Sequence, residues 1–345
     1  MRKLLKIVGV LVLLVAVAVV GFFGVATATE FRPGATQDLP VTGEPVASPP
    51  APGDQLSLLT FNIGYGGLGR DQDFFMDGGA MVRPPNKDDV EANLNGIMAT
   101  LEANPVDVYF LQEVDSASRR SYGINEVDRI TEAMAGTSAY ALNFKSMFTP
   151  YPWPPIGKVT SGIVTVTGFE VLEAQRVSLQ VPFKWPVRMF NLKRCLLVER
   201  VPVTGGKDLV LVNLHLEAYE SGEGRAAQMN ELLGLIQREY AKGNYVIAGG
   251  DFNQSFPGAN FPKVSENWEP GQFDASSLAK GWTVAADTAT PTSRLNDSPW
   301  NGNNQLFAID GFIVSPNIEV TEVKTLDDDF TYSDHNPVLL KVELK

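Results

Sequence analysis

The sequence predicts a layered α/β domain in which helices cover mixed β-sheets. From Gln55 onward, short apolar runs alternate with segments whose apolar residues recur at helical spacing, which is the pattern of interleaved strands and helices. The chain has 345 residues, 44% of them hydrophobic, enough for the core of one large domain. No repeat of fixed spacing is visible, which argues against solenoids and propellers.

Each element is predicted from the spacing of its apolar residues. Period-two or continuous β-branched runs predict strands at 56–62, 107–113, 161–166, 194–203, 208–216, 245–253, 307–315, 318–326 and 336–344. A turn containing Gly205 and Gly206 is expected between the fourth and fifth of these. One apolar helix face is formed by Val90, Leu94, Ile97, Met98 and Leu101, and a second by Met229, Leu232, Leu233, Ile236 and Tyr240. The second helix should end before Gly243, and residues 125–135 predict a short helix.

Residues 1–29 read as a transmembrane anchor or a signal peptide. Arg2, Lys3 and Lys6 precede an uncharged run from residue 7 to residue 29, long enough to cross a bilayer with a cytoplasmic N-terminus. Residues 26–28, Ala-Thr-Ala, also fit a signal-peptidase site. We favour the retained anchor because the run exceeds the apolar core of a signal peptide. The prediction is a single-pass cell-membrane protein with its domain outside the cytoplasm, and the alternative is secretion.

Residues 30–54 are rich in proline and glycine and show almost no apolar periodicity. Such a composition predicts a semi-extended linker that does not order itself. The predicted folded domain therefore covers residues 55–345.

The net charge of −12 and the single cysteine limit the classes of function. An acidic chain does not favour tight nucleic-acid binding, although a metal ion can still handle one phosphate. Cys195 excludes an intrachain disulfide and lies in an apolar strand pattern, which indicates a buried side chain rather than a nucleophile.

Polar residues collect where the predicted strands end or are interrupted, which is where layered α/β folds place active sites. Each alone has an ordinary structural explanation, such as a turn or a hydrogen-bonded core histidine. Together they supply oxygen ligands for a magnesium-type cation and both histidines of the protein. No zinc-type cluster, phosphate-binding loop, dinucleotide fingerprint or serine elbow is present, so metal-assisted hydrolysis of a phosphate ester fits best. The residues are Asn62, Glu113, His215, Asp251, Asn253, Asp310, Asp334 and His335.

The motifs around these residues resemble those of the endonuclease/exonuclease/phosphatase superfamily, which includes DNase I, exonuclease III type enzymes, neutral sphingomyelinases and inositol polyphosphate 5-phosphatases. In chain order they are LLTFNIG, YFLQEVD, LVNLHLEA, VIAGGDFNQ, AIDGFIVS and YSDHNPVLL. The resemblance covers residues 55–345 with no motif missing. It implies a four-layer α/β sandwich, with two mixed sheets packed face to face between helices, and a Mg²⁺-dependent phosphodiesterase or phosphatase.

The resemblance also implies the metal ligands. Glu113 would be the principal ligand, with Asn62 beside it and Asp334 close to the same ion. The metal would be Mg²⁺, with Mn²⁺ as the alternative. Arg194 is either a further phosphate contact or a solvated strand end.

The resemblance assigns the remaining residues to the reacting groups. Asp251 would activate or orient the attacking water, and Asn253 would bind phosphate oxygens. His335 would contact the scissile phosphate, oriented by Asp310, and His215 would bind phosphate or help to protonate the leaving group. The superfamily assigns the general base variously to an aspartate or a histidine, so that role stays open. Neighbours along an extended chain point to opposite sides, so we expect Asp334 and His335 to diverge.

The substrate is less constrained than the reaction. The part of the chain after the linker shows no basic cluster of the kind that holds a DNA duplex. Two aromatic and proline-rich stretches, 147–157 and 181–190, either pack against the sandwich or form an apolar rim that touches lipid or a hydrophobic substrate group. The glycine-rich and acidic segment 64–79 predicts a loop over the metal site, either a gate or a connection.

The favoured function is an exported, membrane-anchored hydrolase of phosphate esters, acting on a lipid head group or a nucleotide-type substrate. The rivals are a secreted nuclease and, in another class, a surface binding module that has lost the reaction. No protein partner is implied.

Overall fold

The fold is described from a computed structural model, which defines residues 1–219 and 222–345. Its α-helices are α1 (Arg2–Ala28), α2 (Lys87–Ala103), α3 (Glu126–Ala133) and α4 (Glu223–Ala241). Its strands are β1 (Thr36–Asp38), β2 (Thr42–Gly43), β3 (Gln55–Asn62), β4 (Val108–Asp115), β5 (Thr137–Thr149), β6 (Gly157–Thr167), β7 (Glu173–Ser178), β8 (Cys195–Val203), β9 (Lys207–His215), β10 (Tyr245–Asp251), β11 (Gln254–Ser255), β12 (Gly271–Gln272), β13 (Thr283–Ala285), β14 (Ser293–Arg294), β15 (Leu306–Phe307), β16 (Asp310–Val314), β17 (Ile318–Thr325) and β18 (Val338–Leu344).

Two large mixed sheets form the centre of the molecule. Sheet 1 has the order β1-β7-β8-β9-β10-β16-β13, and sheet 2 has the order β17-β18-β3-β4-β6-β5-β2. The pairs β9–β10 and β3–β4 are parallel, whereas most of the other neighbours are antiparallel. The glycine-containing turn predicted between β8 and β9 is confirmed, and Gly205 and Gly206 both have positive φ.

The sheets pack face to face through apolar side chains, and helices cover their outer faces. Leu58 and Phe110 of sheet 2 share a buried cluster with Leu211 and Ile247 of sheet 1. The predicted apolar face of α4 is buried on the outside of sheet 1, and that of α2 is buried on the outside of sheet 2. The predicted four-layer α/β sandwich is therefore confirmed.

A buried polar bridge also joins the sheets. Gln112 of β4 donates from Nε2 to Oδ1 of Asn213 of β9 at 2.8 Å. Asn213 in turn donates from Nδ2 to the carbonyl of Val164 in β6 at 2.8 Å. Because buried amides are costly unless they are hydrogen-bonded, this bridge favours one position of the two sheets relative to each other.

The predicted strand at 307–315 is divided into β15 and β16. Residues 308 and 309 lie between the two strands, and Asp310 begins β16 rather than interrupting a longer strand. Strands β5 and β7 were not predicted, because their apolar pattern is weak and they are stabilised by pairing with β6 and β8.

The prediction that residues 30–54 form an unordered linker is wrong. β1 pairs with β7 at the edge of sheet 1, and β2 pairs with β5 at the edge of sheet 2. Leu39 and Val41, between these two strands, pack against a buried cluster of both sheets. The sheet edges offer unpaired backbone groups, which explains why a segment with little apolar periodicity of its own becomes ordered.

Helix α1 contains no buried residue and is the one helix in the described residues that is long and apolar enough to cross a membrane. Only its last turns touch the domain. Phe22 stacks on Phe190 with ring centroids 5.9 Å apart, and Phe23 lies 5.9 Å from Trp185. Just beyond the helix, Glu30 accepts two hydrogen bonds from the guanidinium of Arg188, at 2.8 and 3.1 Å.

We expect a protein that begins at residue 55 to melt roughly 5–10 °C below one that begins at residue 30. The shorter protein loses β1, β2 and the packing of Leu39 and Val41, which together are worth about 3 kcal/mol. Scanning calorimetry of the two proteins measures the difference. Leu39→Asn in the longer protein should reproduce part of it, and equal melting temperatures would show that the docked segment contributes no stability.

Candidate active site

Three of the predicted residues stand side by side at one end of sheet 1. His215 ends β9, Asp251 ends β10 and Asp310 begins β16. The register pairs Asp251 with His215 on one side and with Asp310 on the other. Directly paired residues present their side chains on the same face of a sheet, so the register alone brings these three together.

Sheet 2 contributes Asn62 and Glu113 to the same end of the sandwich. Asn62 ends β3, and Glu113 lies in β4 where a β-bulge shifts the register between Leu111 and Val114. Glu113 has a φ of 56°, in the left-handed region, which costs a residue with a side chain of order 1–3 kcal/mol. The bulge re-aims the carboxylate into the pocket between the sheets.

Asn62 is the contact between the two sheets at this end. Its Nδ2 donates to Oδ2 of Asp251 at 3.1 Å and lies 3.4 Å from Oε1 of Glu113. The same nitrogen is 3.5 Å from Nε2 of His335. Its Oδ1 accepts from the backbone N–H of Gly64 at 3.1 Å, which fixes the orientation of the amide.

The adjacent residues Asp334 and His335 point to different partners, as expected. His335 donates from Nδ1 to Oδ2 of Asp310 at 2.8 Å. The carboxylate of Asp334 instead accepts from Nδ2 of Asn296 at 2.5 Å. The predicted contact between Asp310 and His335 is therefore present, and Asp334 is left for another part of the site.

The buried groups of sheet 1 influence each other's charge. Burial and the neighbouring Asp310 raise the pKa of Asp251 to about 7. Burial alone would lower the pKa of His335, but Asp310 and Asp251 raise it well above its ordinary value, so the imidazolium is favoured. Burial, Arg194 and His335 lower the pKa of His215 well below its ordinary value, so that ring is neutral.

The charges around Asp334 fit a divalent cation. Burial raises the pKa of Asp334, and the nearby carboxylate of Glu113 acts in the same direction. Two carboxylates and the Asn62 amide are the oxygen-rich ligands that hard cations prefer, and a cation would relieve the repulsion between them.

A second set of possible ligand atoms belongs to Asp251, Asp310 and His335, which lie within 4.8 Å of one another. Nδ1 of His335 and Oδ2 of Asp310 are already hydrogen-bonded to each other. This set is therefore better suited to orienting a ring and moving protons than to holding an ion.

Two further predicted residues line the pocket. Asn253 has a φ of 51° and donates from Nδ2 to the carbonyl of Leu216 at 2.9 Å, which holds its side chain at the pocket wall. Arg194 is 3% exposed, with Nε 3.7 Å from Oε2 of Glu217. The burial of Arg194 excludes the alternative of a solvated strand end, which the sequence left open.

Cys195 is buried, and this burial raises the pKa of its thiol to about 11. The thiol therefore stays protonated, which fits a structural role.

Arg120 lines the pocket and Asn296 contacts the pocket residue Asp334, but neither was predicted from sequence. Arg120 makes two hydrogen bonds to Asp115, at 3.1 and 3.0 Å, and its guanidinium lies 3.6 Å from the ring centroid of Tyr65. Arg120 follows the YFLQEVD motif by only a few residues, which was the available signal. Asn296 lies in a loop without pattern, and only its contact with Asp334 reveals it.

The predicted loop 64–79 borders the pocket. Asp77 accepts from the hydroxyl of Tyr219 at 2.7 Å and from the backbone N–H of Asn296 at 3.1 Å, which fastens the loop to the opposite wall. The pocket has a charged floor and an apolar wall. That wall includes Phe74, Met76, Ile156, Phe190 and Leu192.

The sequence matches the profile of the Endonuclease/Exonuclease/phosphatase family over residues 59–335. The chain belongs to this family. It is accordingly a metal-dependent hydrolase of phosphoric esters. No curated protein is significantly similar in sequence.

Solved structures of family members share the fold. An endonuclease/exonuclease/phosphatase from Beutenbergia cavernae has 18% identity and a TM-score of 0.58, covering 84% of this chain and 72% of that one. ANGEL2, a 2',3'-cyclic phosphatase, has 15% identity and a TM-score of 0.56, covering 85% and 96%. The human Nocturnin catalytic domain, with bound sulfate, has 16% identity and a TM-score of 0.53, covering 89% and 97%.

Replacing Asn296 with alanine should raise the Mg²⁺ concentration needed for half-maximal activity roughly 10- to 100-fold, because Asp334 loses the hydrogen bond that orients it. Activity at saturating Mg²⁺ should largely recover. Titration of Mg²⁺ against hydrolysis of bis-p-nitrophenyl phosphate measures the effect. Asn303→Ala, an exposed change in the same loop, is the matched control. An unchanged Mg²⁺ requirement in Asn296→Ala would rule out this role.

Proposed function

We propose that the protein is an exported, membrane-anchored, Mg²⁺-dependent phosphodiesterase or phosphatase that acts on a lipid head group or a nucleotide-type ester. The observation that carries this proposal is the meeting of two carboxylates, Glu113 and Asp334, with a hydrogen-bonded Asp310–His335 pair and Asp251 at the floor of one pocket. Export and anchoring are supported by the unburied helix α1, which carries basic residues in its first turns and no charge from residue 7 onward.

Glu113, Asn62 and Asp334 would hold the cation. When bound there, Mg²⁺ neutralises charge on the phosphate and polarises its oxygens. Asn296 fixes the carboxylate of Asp334 from behind.

The remaining groups would bind and orient the reactants. The carboxylate of Asp251 lies between the side chains of Asn62, His215 and His335. It would orient the attacking water and accept its proton. His335, held by Asp310, faces the same space and would donate to a phosphate oxygen. His215 presents Nε2 3.4 Å from Oδ2 of Asp251 and would contact the ester on the opposite side.

Asp251→Asn and His335→Gln should each lower kcat about 10²- to 10⁴-fold, the range for loss of a positioned acid or base. The assay is hydrolysis of bis-p-nitrophenyl phosphate by the full chain, with Mg²⁺ and with a chelator. Cys195→Ala, equally buried but without a role in the site, should keep wild-type activity. Activity that ignores the chelator, or that survives both site variants, would contradict the mechanism.

The rival function is a secreted nuclease. One specific likeness supports it: D. rerio TDP2, solved with a single-strand DNA product, has 17% identity and a TM-score of 0.52, covering 84% of this chain and 99% of that one. Plasmid nicking compared with release of phosphorylated head groups from liposomes separates the two functions. Nicking at least as fast as head-group release would favour the nuclease.

A further inference from the structure

An exposed apolar rim lies beside the exit of α1 from the domain. We define this rim by its exposed side chains, of which Trp153 is 89%, Tyr151 70% and Trp185 56% exposed. Exposed aromatic side chains of this size mark a contact surface. The members of the rim are Met147, Phe148, Tyr151, Trp153, Trp185 and Val187.

The length of the free part of α1 sets the height of the rim relative to a bilayer. Residues 2–21 of the helix are all exposed, and contacts with the domain begin at Phe22. Because Arg2, Lys3 and Lys6 are charged, the part of the helix that suits the hydrocarbon starts at residue 7. Helical residues 7–28 rise about 33 Å, close to the thickness of the hydrocarbon core. The helix therefore leaves the hydrocarbon in its last turns, where it contacts the domain.

The rim lies at that same level because it touches the end of the helix. Phe148 lies 6.3 Å from Phe22 by ring centroids, and Trp185 lies 5.9 Å from Phe23. Nε1 of Trp185 also donates to the hydroxyl of Thr27 at 3.1 Å. Tryptophan and tyrosine concentrate at this depth in membrane proteins, where a ring meets both lipid and water.

The end of the helix is held against the domain by side-chain contacts and is not joined to it through a flexible linker. The bidentate contact of Arg188 with Glu30 follows directly after the helix, and Nζ of Lys193 lies 3.6 Å from the same carboxylate. The domain consequently keeps one face toward the membrane.

The two segments that carry the rim residues contain no acidic residue. Segments 133–169 and 174–198 contain two and five basic residues respectively and no acidic residue, in a chain of net charge −12. Three of these basic residues are exposed, namely Lys145, Lys158 and Lys184. An acidic protein without carboxylates on these segments is suited to lie against lipid phosphates.

The rim is continuous with the wall of the catalytic pocket. Phe190, which stacks on Phe22 of α1, also lines that pocket. On the other side, the ring of Tyr151 lies 5.9 Å from that of Phe75, next to the pocket residues Phe74 and Met76.

We propose that the apolar rim is seated on the outer surface of the bilayer that α1 crosses, with Trp153 and Trp185 among the lipids and the catalytic pocket opening at the membrane surface. The partner is the lipid bilayer itself. The inference rests on the proposed anchoring by α1, and it brings esters carried by lipids of the same membrane within reach of the pocket.

Tryptophan quenching tests the seating directly. The full chain is reconstituted into nanodiscs of phosphatidylcholine, with or without bromine on the acyl chains, which quenches nearby indoles. The double variant Trp153→Phe/Trp185→Phe should lose most of the lipid-dependent quenching. The matched control Trp282→Phe/Trp300→Phe removes two indoles away from the rim and should keep it. Equal quenching in the two double variants, or self-association through the rim in place of quenching, would overturn the proposal.

Hydrolysis of bis-p-nitrophenyl phosphate by the same nanodiscs separates this inference from the proposed function. Activity in a wild-type sample whose rim tryptophans are not quenched would refute the seating and leave the hydrolase intact. Quenching as expected, in a sample without Mg²⁺-dependent hydrolysis, would refute the proposed reaction and leave the seating intact.

Discussion

The hydrogen bond from Asn62 to Asp251 is the constraint on which the site depends, because it joins the ends of two different sheets at 3.1 Å. The proposed metal ligands Asn62 and Glu113 come from sheet 2, whereas His215, Asp251 and Asp310 come from sheet 1. Neither sheet alone provides all of these residues. The apolar core between the sheets and the buried bridge from Gln112 to Asn213 set the spacing that lets this one amide reach across.

Much of the sandwich and the predicted site could be read from sequence, because strand ends are encoded by local patterns. The period-two geometry of a strand also predicted that Asp334 and His335 would diverge. Contacts made by loops were not accessible in the same way. Asn296 supports Asp334 from 38 positions away, and no local pattern marks it. Arg120 was not predicted because its contact with the ring of Tyr65 exists only in the folded structure.

Residues 30–54 show that composition alone predicts the wrong structure when the edge of a sheet can pair with the segment. Residues 30–54 contain too little apolar surface to fold alone, and the prediction of a linker rested on that. Each sheet nevertheless has an edge that accepts a short strand, so the segment is ordered by partners rather than by its own pattern. As a result, α1 and the catalytic pocket are parts of one assembly instead of two bodies joined by a flexible chain.

The position of the metal ion is the central claim, and anomalous diffraction from crystals soaked in Mn²⁺ tests it most directly. Mn²⁺ prefers the same oxygen ligands as Mg²⁺ and can be located by its anomalous signal. We expect a peak bound by Glu113 and Asp334, next to Asn62, with the hydrogen bond between Asp310 and His335 intact. A peak held instead by Asp251, Asp310 and His335, or no peak at saturating Mn²⁺, would contradict it.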